Sequence, residues 1–337
     1  MIEQDSTTLR RYRRFAWITI AAVYFLILVG ASVRASGAGM GCPDWPTCFG
    51  QWIPPTSEAQ LPDNYQQIYA ELGYADTRFN VLKTWTEYTN RLVGVSIGIL
   101  IFLTALFSWF CRRHDPWIFR ASVAAFFMVG FQGWLGARVV ASNLQPGMIT
   151  LHMLMALAIV AALLFALAQS RRGIMAAQSI AGIDPRFEKW LYVVMGLALI
   201  QISMGTQVRE MTDLISRSQG EELRSSWIEA MPWFFYVHRS FSAVVLFANL
   251  WLLALLVKSL GWQHSLTRFT TAMIVVTSLA VLSGATLGHL GMPALVQPTH
   301  LLAAALLFGF QFLIWMGYRH ARSGGSSETG SSRPLPA

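Results

Sequence analysis

The chain has 337 residues, of which 54% are hydrophobic and 12% charged, and it carries a formal net charge of +8. A soluble domain carries roughly 25% charged residues, and here the charge is confined to short loops between long apolar runs. An ordinary soluble fold is excluded: such runs cross ~30 Å of hydrocarbon as helices, because lipid offers unpaired backbone groups no partner.

Eight spans are predicted, over residues 15–34, 87–110, 118–139, 148–168, 190–208, 234–257, 269–290 and 299–318. A basic segment (Arg10, Arg11, Arg13, Arg14) precedes the first, which lacks a small-residue cleavage site and reads as retained. The outer loop at 36–86 is polar, with Pro54, Pro55, Pro62 and several aromatics. It is expected to form an ordered loop or partial helix over the outer face. Cys42 and Cys48 lie in it, within Cys-Pro-Asp-Trp-Pro-Thr-Cys. An outer compartment permits a disulfide here; two unpaired thiols or a metal pair are the alternatives. Cys111, at an inner helix end, reads as a free thiol.

The remaining cations alternate with the spans. Arg112, Arg113 and Arg120 follow the second, Arg171, Arg172, Arg186 and Lys189 the fourth, Lys258 and Arg268 the sixth, and Arg319, Arg322 and Arg333 the eighth. Acids gather on the other side: Asp44, Glu58, Asp63, Glu71, Asp76, Glu210, Asp213, Glu221 and Glu222. By the excess of cations on cytoplasmic segments, both termini are expected inside a multi-pass protein of the cell's inner (plasma) membrane. The basic balance then faces membrane lipid and calls for no nucleic acid. Residues 323–337 read as a disordered tail.

The chain repeats itself. Gly30 to Arg34 ends the first span as Gly205 to Arg209 ends the fifth; Asn90-Arg91 matches His238-Arg239; Gln132-Gly133 is laid over Ser283-Gly284; and His152 matches His300. Four helices return a chain to its starting side, so the halves are expected to be parallel. The fold class is all-α integral membrane: eight transmembrane helices as two four-helix bundles related by a pseudo-two-fold axis. Residues 1–170 form the first bundle and 171–322 the second.

Ionisable groups in membrane helices are costly and therefore functional candidates. His152, His238 and His300 recur at the outer ends of even-numbered helices. Two imidazoles on facing helices can ligate heme iron from both sides, and His238 with His300 would be such a pair. In the first half Asn90 stands where the partner of His152 would be, so iron there is five-coordinate or uses another group. Glu87, one turn before Asn90, is placed to accept a proton beside a substrate; the plainer reading is a helix cap. Arg34, Arg91, Arg209 and Arg239 are candidates for heme propionates, against simple interfacial snorkelling. His289 reads as interfacial, and His114, His264 and His320 carry no assigned chemistry.

Several motifs together resemble the heme A synthase family over nearly the whole chain. They are Gly-Met-Gly-Cys-Pro-Asp-Trp-Pro-Thr-Cys at 39–48, Glu87-Tyr-Thr-Asn-Arg91, Leu144-Gln-Pro with His152, His238-Arg239, and Gln297-Pro-Thr-His300. The resemblance implies an oxidoreductase that converts heme O to heme A for cytochrome oxidase, oxidising a methyl to a formyl group by successive hydroxylations with water-derived oxygen. It implies a heme b cofactor between His238 and His300, heme O beside His152 and Glu87, and a Cys42–Cys48 disulfide. It also implies heme O synthase and oxidase assembly proteins as partners. One departure is visible: many members carry Glu-x-x-His on the second helix, where this chain ends the motif in Asn90. A non-catalytic heme carrier of the same fold is the rival reading. A simple membrane cytochrome would want a ligand pair in both halves, and a transporter would leave the histidine pair unexplained.

Overall fold

The computed structural model of the protein describes residues 7–75 and 77–329. Asp76, Arg333 and residues 330–337 of the expected tail lie outside them. Eight long helices carry the architecture: α1 (Thr7–Ala35), α2 (Val81–Ser108), α3 (Pro116–Ala141), α4 (Pro146–Ser170), α5 (Phe187–Gln219), α6 (Trp233–Leu260), α7 (Ser265–His289) and α8 (Val296–Thr329). All eight are long and apolar enough to cross a membrane, as the sequence predicts.

Their ends differ from the apolar windows, because polar turns extend helices beyond hydrocarbon. α2 begins at Val81, where the Asn80 side chain accepts the Lys83 amide at 3.0 Å, an N-cap that satisfies an orphan donor. Asp115 caps α3 by accepting from Trp117 at 2.8 Å, with Pro116 in the first turn. α5 continues to Gln219 and carries Glu210 and Asp213 on its outer turns. α8 continues to Thr329, past the Arg322 at which the tail was expected to begin.

In the first half α1 packs on α2, α2 on α3, α3 on α4, and α4 returns to α1. The second half closes the same ring through α5, α6, α7 and α8, and α8 also packs on α1 and α4. α8 is thus the central helix, half of its apolar window being buried against 17% for α3. Each ring has its own apolar core, one around Tyr12, Ile101, Leu163 and Leu167, the other around Phe187, Leu191, Leu252 and Met273. Outward residues such as Phe127, Phe247 and Leu282 are exposed, as a lipid-facing surface requires. Where α8 meets α1, a Cβ on Gly309 would stand 2.0 Å from the Tyr24 hydroxyl. Only glycine allows that approach, and the hydroxyl reaches the Ala305 carbonyl at 3.5 Å.

The outer loop is ordered, with a short helix at Tyr65–Ile68 and an aromatic core of its own. Phe49 meets Tyr65, Tyr69, Tyr74 and Phe79 edge-on, at centroid distances of 6.2, 5.5, 5.3 and 5.5 Å. Such pairs contribute about 0.5–1.5 kcal/mol each beyond burial. Cys42 and Cys48 are joined as a disulfide.

Candidate functional site

One contact recurs in the pairs α1–α2, α3–α4, α5–α6 and α7–α8: a glycine on the odd-numbered helix faces Asn90 or a histidine on the even-numbered one. A Cβ on Gly30 would lie 3.8 Å from Asn90 Oδ1, on Gly136 3.5 Å from His152 Cε1, on Gly205 3.2 Å from His238 Cε1, and on Gly284 3.0 Å from His300 Cε1. The odd helix is cut back so that a ring can stand beside its backbone. These contacts also correct the repeat. Gly136, not Gly133, is the counterpart of Gly284, and an offset of 148 residues then carries Asn90 to His238, Gly136 to Gly284 and His152 to His300. The sequence register slipped by three because α3 offers a glycine at both positions.

In the second half the His238 and His300 rings face each other with centroids 6.4 Å apart, near perpendicular at 80°. That is too far for a mutual hydrogen bond. Two imidazoles bound trans to one metal at roughly 2 Å would have centroids about 6 Å apart. His300 Nδ1 lies 2.9 Å from the Ala280 carbonyl and 3.1 Å from the Ser283 hydroxyl. A carbonyl only accepts, so Nδ1 carries the proton and the Nε2 lone pair is free to ligate, the usual arrangement for a metal-binding histidine. The His238 backbone carbonyl is held by Gln201 Nε2 at 3.1 Å, and its Nδ1 is buried without a protein partner. Among the described residues no cluster of three or more His, Cys, Asp or Glu could hold a bare metal ion. Two imidazoles alone fit a metal whose other ligands come from a macrocycle, so the residues present fit heme.

The first half repeats the scaffold with a different ligand set. Gln132 Nε2 donates to the His152 carbonyl at 3.0 Å, a bond like that of Gln201 with His238 but at a non-equivalent position of the repeat, and His152 Nδ1 and Asn90 Oδ1 are buried without protein partners. Glu87, 4% exposed, sits under the outer loop. Its Oε2 accepts the Cys42 amide at 3.0 Å and its Oε1 takes Arg91 at 2.6 Å. The loop comes this close because residue 41 is glycine: a Cβ there would lie 2.2 Å from the Lys83 carbonyl. Thr84 donates to the Gly41 carbonyl at 2.8 Å. Tyr74 donates to the Met40 carbonyl at 2.7 Å; burial first, then the Glu87 charge, pushes its phenol up and keeps it a donor.

The arginines expected to serve propionates are placed unequally. Arg91 spends all five N–H donors on Glu87 and on the carbonyls of Cys42, Asp44 and Thr47; its contacts tie the loop to α2. Arg239 is exposed, over the Tyr236 ring at 5.3 Å. Arg34 and Arg209 meet between the halves. Arg34 pairs with Asp213 and donates to the Arg209 carbonyl at 3.1 Å, and Arg209 approaches Asp213 at 3.4 Å. Arg209 is 8% exposed, its Nη1 lies 3.8 Å from Met153 Sδ, and its Nε has no protein partner. Asp213 is the site residue that sequence reasoning missed. It was counted among the outer acids, although it follows Arg209 by four residues, a spacing that pairs side chains on a helix.

The profile of the family described as cytochrome oxidase assembly protein matches residues 13–312. A heme A synthase of Mesorhizobium japonicum is 26% identical over 332 residues, covering 92% of this chain and 91% of that protein. Heme A synthases of Shewanella oneidensis and Methylobacterium radiotolerans are 29% and 30% identical over 186 and 207 residues, 54% and 57% of this chain. In those two matches the chain spans about half of the relative, 53% and 54% of its length. The resemblance carried by the motifs is thereby borne out, and since the matched region takes in residues of all eight membrane helices, the chain belongs to the cytochrome oxidase assembly protein family.

Proposed function

We propose that this chain is a heme A synthase: a membrane oxidoreductase that oxidises a methyl group of heme O to the formyl group of heme A. The observation that carries the reading is the facing pair His238 and His300, with the His300 tautomer fixed by the Ala280 carbonyl. In this reading the second half holds a heme b between those two imidazoles, and the cofactor, when bound, supplies one-electron redox chemistry. Asn90, without a second imidazole, leaves one side of the first-half site open for the substrate, heme O, beside His152.

Each hydroxylation with water-derived oxygen, CH3 + H2O to CH2OH, would release two electrons, which an acceptor outside this chain must take, and two protons, of which Glu87 would take one. Its carboxylate is held from both sides, by the Cys42 amide and by Arg91, so it is fixed in place rather than free to rotate. Arg209, buried with an unpaired Nε, and Arg34 are the candidates for a substrate carboxylate; Arg91 positions Glu87 and the disulfide loop. Residues 1–170 thus form the substrate half and 171–322 the cofactor half, related by a pseudo-two-fold axis. The membrane is the cell's inner one with both termini cytoplasmic, and heme O synthase and oxidase assembly proteins are the partners.

One observation favours a second reading, a heme carrier without turnover: the ligand position of α2 is an asparagine with a buried, unpaired Oδ1. Co-expression with a heme O synthase, followed by extraction and analysis of hemes, separates the two. Heme A is the expected product; heme O alone, bound to the purified protein, would establish the carrier.

A further inference from the structure

The glycines and histidines form one layer near the outer ends of the helices, and a second layer lies beneath it. Eleven residues beyond His238 on α6 stands Asn249, and eleven beyond His300 on α8 stands Gln311. α5 runs the opposite way, and eleven residues before Gly205 stands Val194. Eleven residues are about three turns, so each position returns to the same helix face, about 16 Å deeper. All three are buried, Val194 and Asn249 fully and Gln311 at 1% exposure.

They are bonded to one another. Gln311 Nε2 donates to the Val194 carbonyl at 3.2 Å and to Asn249 Oδ1 at 3.3 Å, and Asn249 Nδ2 donates to the Val245 carbonyl at 2.8 Å. A single amide therefore ties α5, α6 and α8 together at one level below the histidines. In the first half the same offsets fall on Thr19, Ile101 and Leu163, equally buried. Ile101 and Leu163 belong to the apolar core, and the Thr19 hydroxyl bonds Thr104 instead. One half has a floor bonded across three helices, and the other has two apolar residues beside a single hydroxyl pair that joins only α1 and α2. The difference is mechanical. Apolar contacts carry no directional requirement, whereas a buried amide pair is satisfied in few arrangements and strands polar groups on leaving them.

We propose that Asn249 and Gln311 are positioning residues for the second-half porphyrin. By fixing the rotation and spacing of α6 and α8, they keep His238 and His300 at the separation at which both imidazoles hold one iron. The first half has no amide tie across three helices at that level, which leaves its site more adjustable, as a ligand that enters and leaves requires. The inference rests on His238 and His300 being heme ligands, and its test separates the two claims.

The double variant Asn249→Ile with Gln311→Leu installs the first-half residues and removes both amides, so neither is left buried and unpaired. Purified with its heme, it is expected to fold with unchanged helix content and to show a mixed-spin spectrum where the wild type is low-spin. It should also lose heme to excess apomyoglobin about tenfold faster. Gln311→Met, which keeps the chain length, loses the donors and leaves Asn249 Oδ1 unpaired, should move both readouts the same way. If the double variant and Gln311→Met both kept the wild-type spectrum and transfer rate, the floor would have no positioning role, even with His238→Ala abolishing the low-spin signal. A wild-type protein without any low-spin heme would instead overturn the ligand assignment itself.

Discussion

The two halves share one scaffold and differ at the positions where chemistry is decided. Each sets a glycine against a ligand position twice, and in each a glutamine holds the backbone of a histidine, Gln132 for His152 and Gln201 for His238. Yet the second half presents two imidazoles 6.4 Å apart, and the first presents one imidazole and an amide. The first half adds a carboxylate, Glu87, and a loop built to hold it; the matching position in the second half is Phe235. On the function proposed above, the two bundles divide the labour without changing the fold: the histidine pair keeps the cofactor and the half with Asn90 takes the substrate.

The largest effect should come from breaking the closed pair. His238→Ala and His300→Ala are each expected to abolish the low-spin heme spectrum of the purified protein, and an unchanged spectrum in both would refute the assignment. Glu87→Ala should lower heme A formation by about a hundredfold or more while leaving that spectrum intact, because the residue belongs to the other half; turnover at the wild-type level would remove it from the mechanism. Asn90→His sharpens the comparison from the opposite direction. Gly30 leaves the room that Gly205 leaves for His238, so the variant should gain a second low-spin heme per chain. An unchanged low-spin heme signal per chain would show that position 90 does not set the difference. The smallest effect belongs to the contact between halves: Tyr24→Phe removes one long hydrogen bond and should lower stability by about 1 kcal/mol or less, read as a small fall in the thermal midpoint.

The eight spans were legible because twenty apolar residues have few other uses, and His238 with His300 because ionisable groups in lipid are rare. Helix ends were not legible. Val81–Thr84 and Glu210–Gln219 are helical through caps and packing, which leave no mark on hydropathy. The repeat was visible while its register on α3 was not, since Gly133 and Gly136 look alike until a ring is seen against one of them. The role of Arg91 was hidden for a related reason. Its sequence neighbour Glu87 is visible, but the three carbonyls that consume its other donors arrive from a loop more than forty residues earlier. Asn249 and Gln311 are polar residues in apolar helices that the sequence analysis does not single out, and only their hydrogen bonds place them on one level.

Among the contacts between the halves are two of different physical kind. Toward the outer surface Arg34 and Arg209 share Asp213, and side chains in the Arg34–Asp213 pair remain 24% and 23% exposed. Within the bilayer Tyr24 lies in the notch left by Gly309, a contact of shape with no charge in it. Counterions weaken the first and leave the second alone, since the Debye length shrinks from about 10 Å at 0.1 M to about 3 Å at 1 M. Concentrated salt should thus loosen the rim of this protein while its waist stays shut.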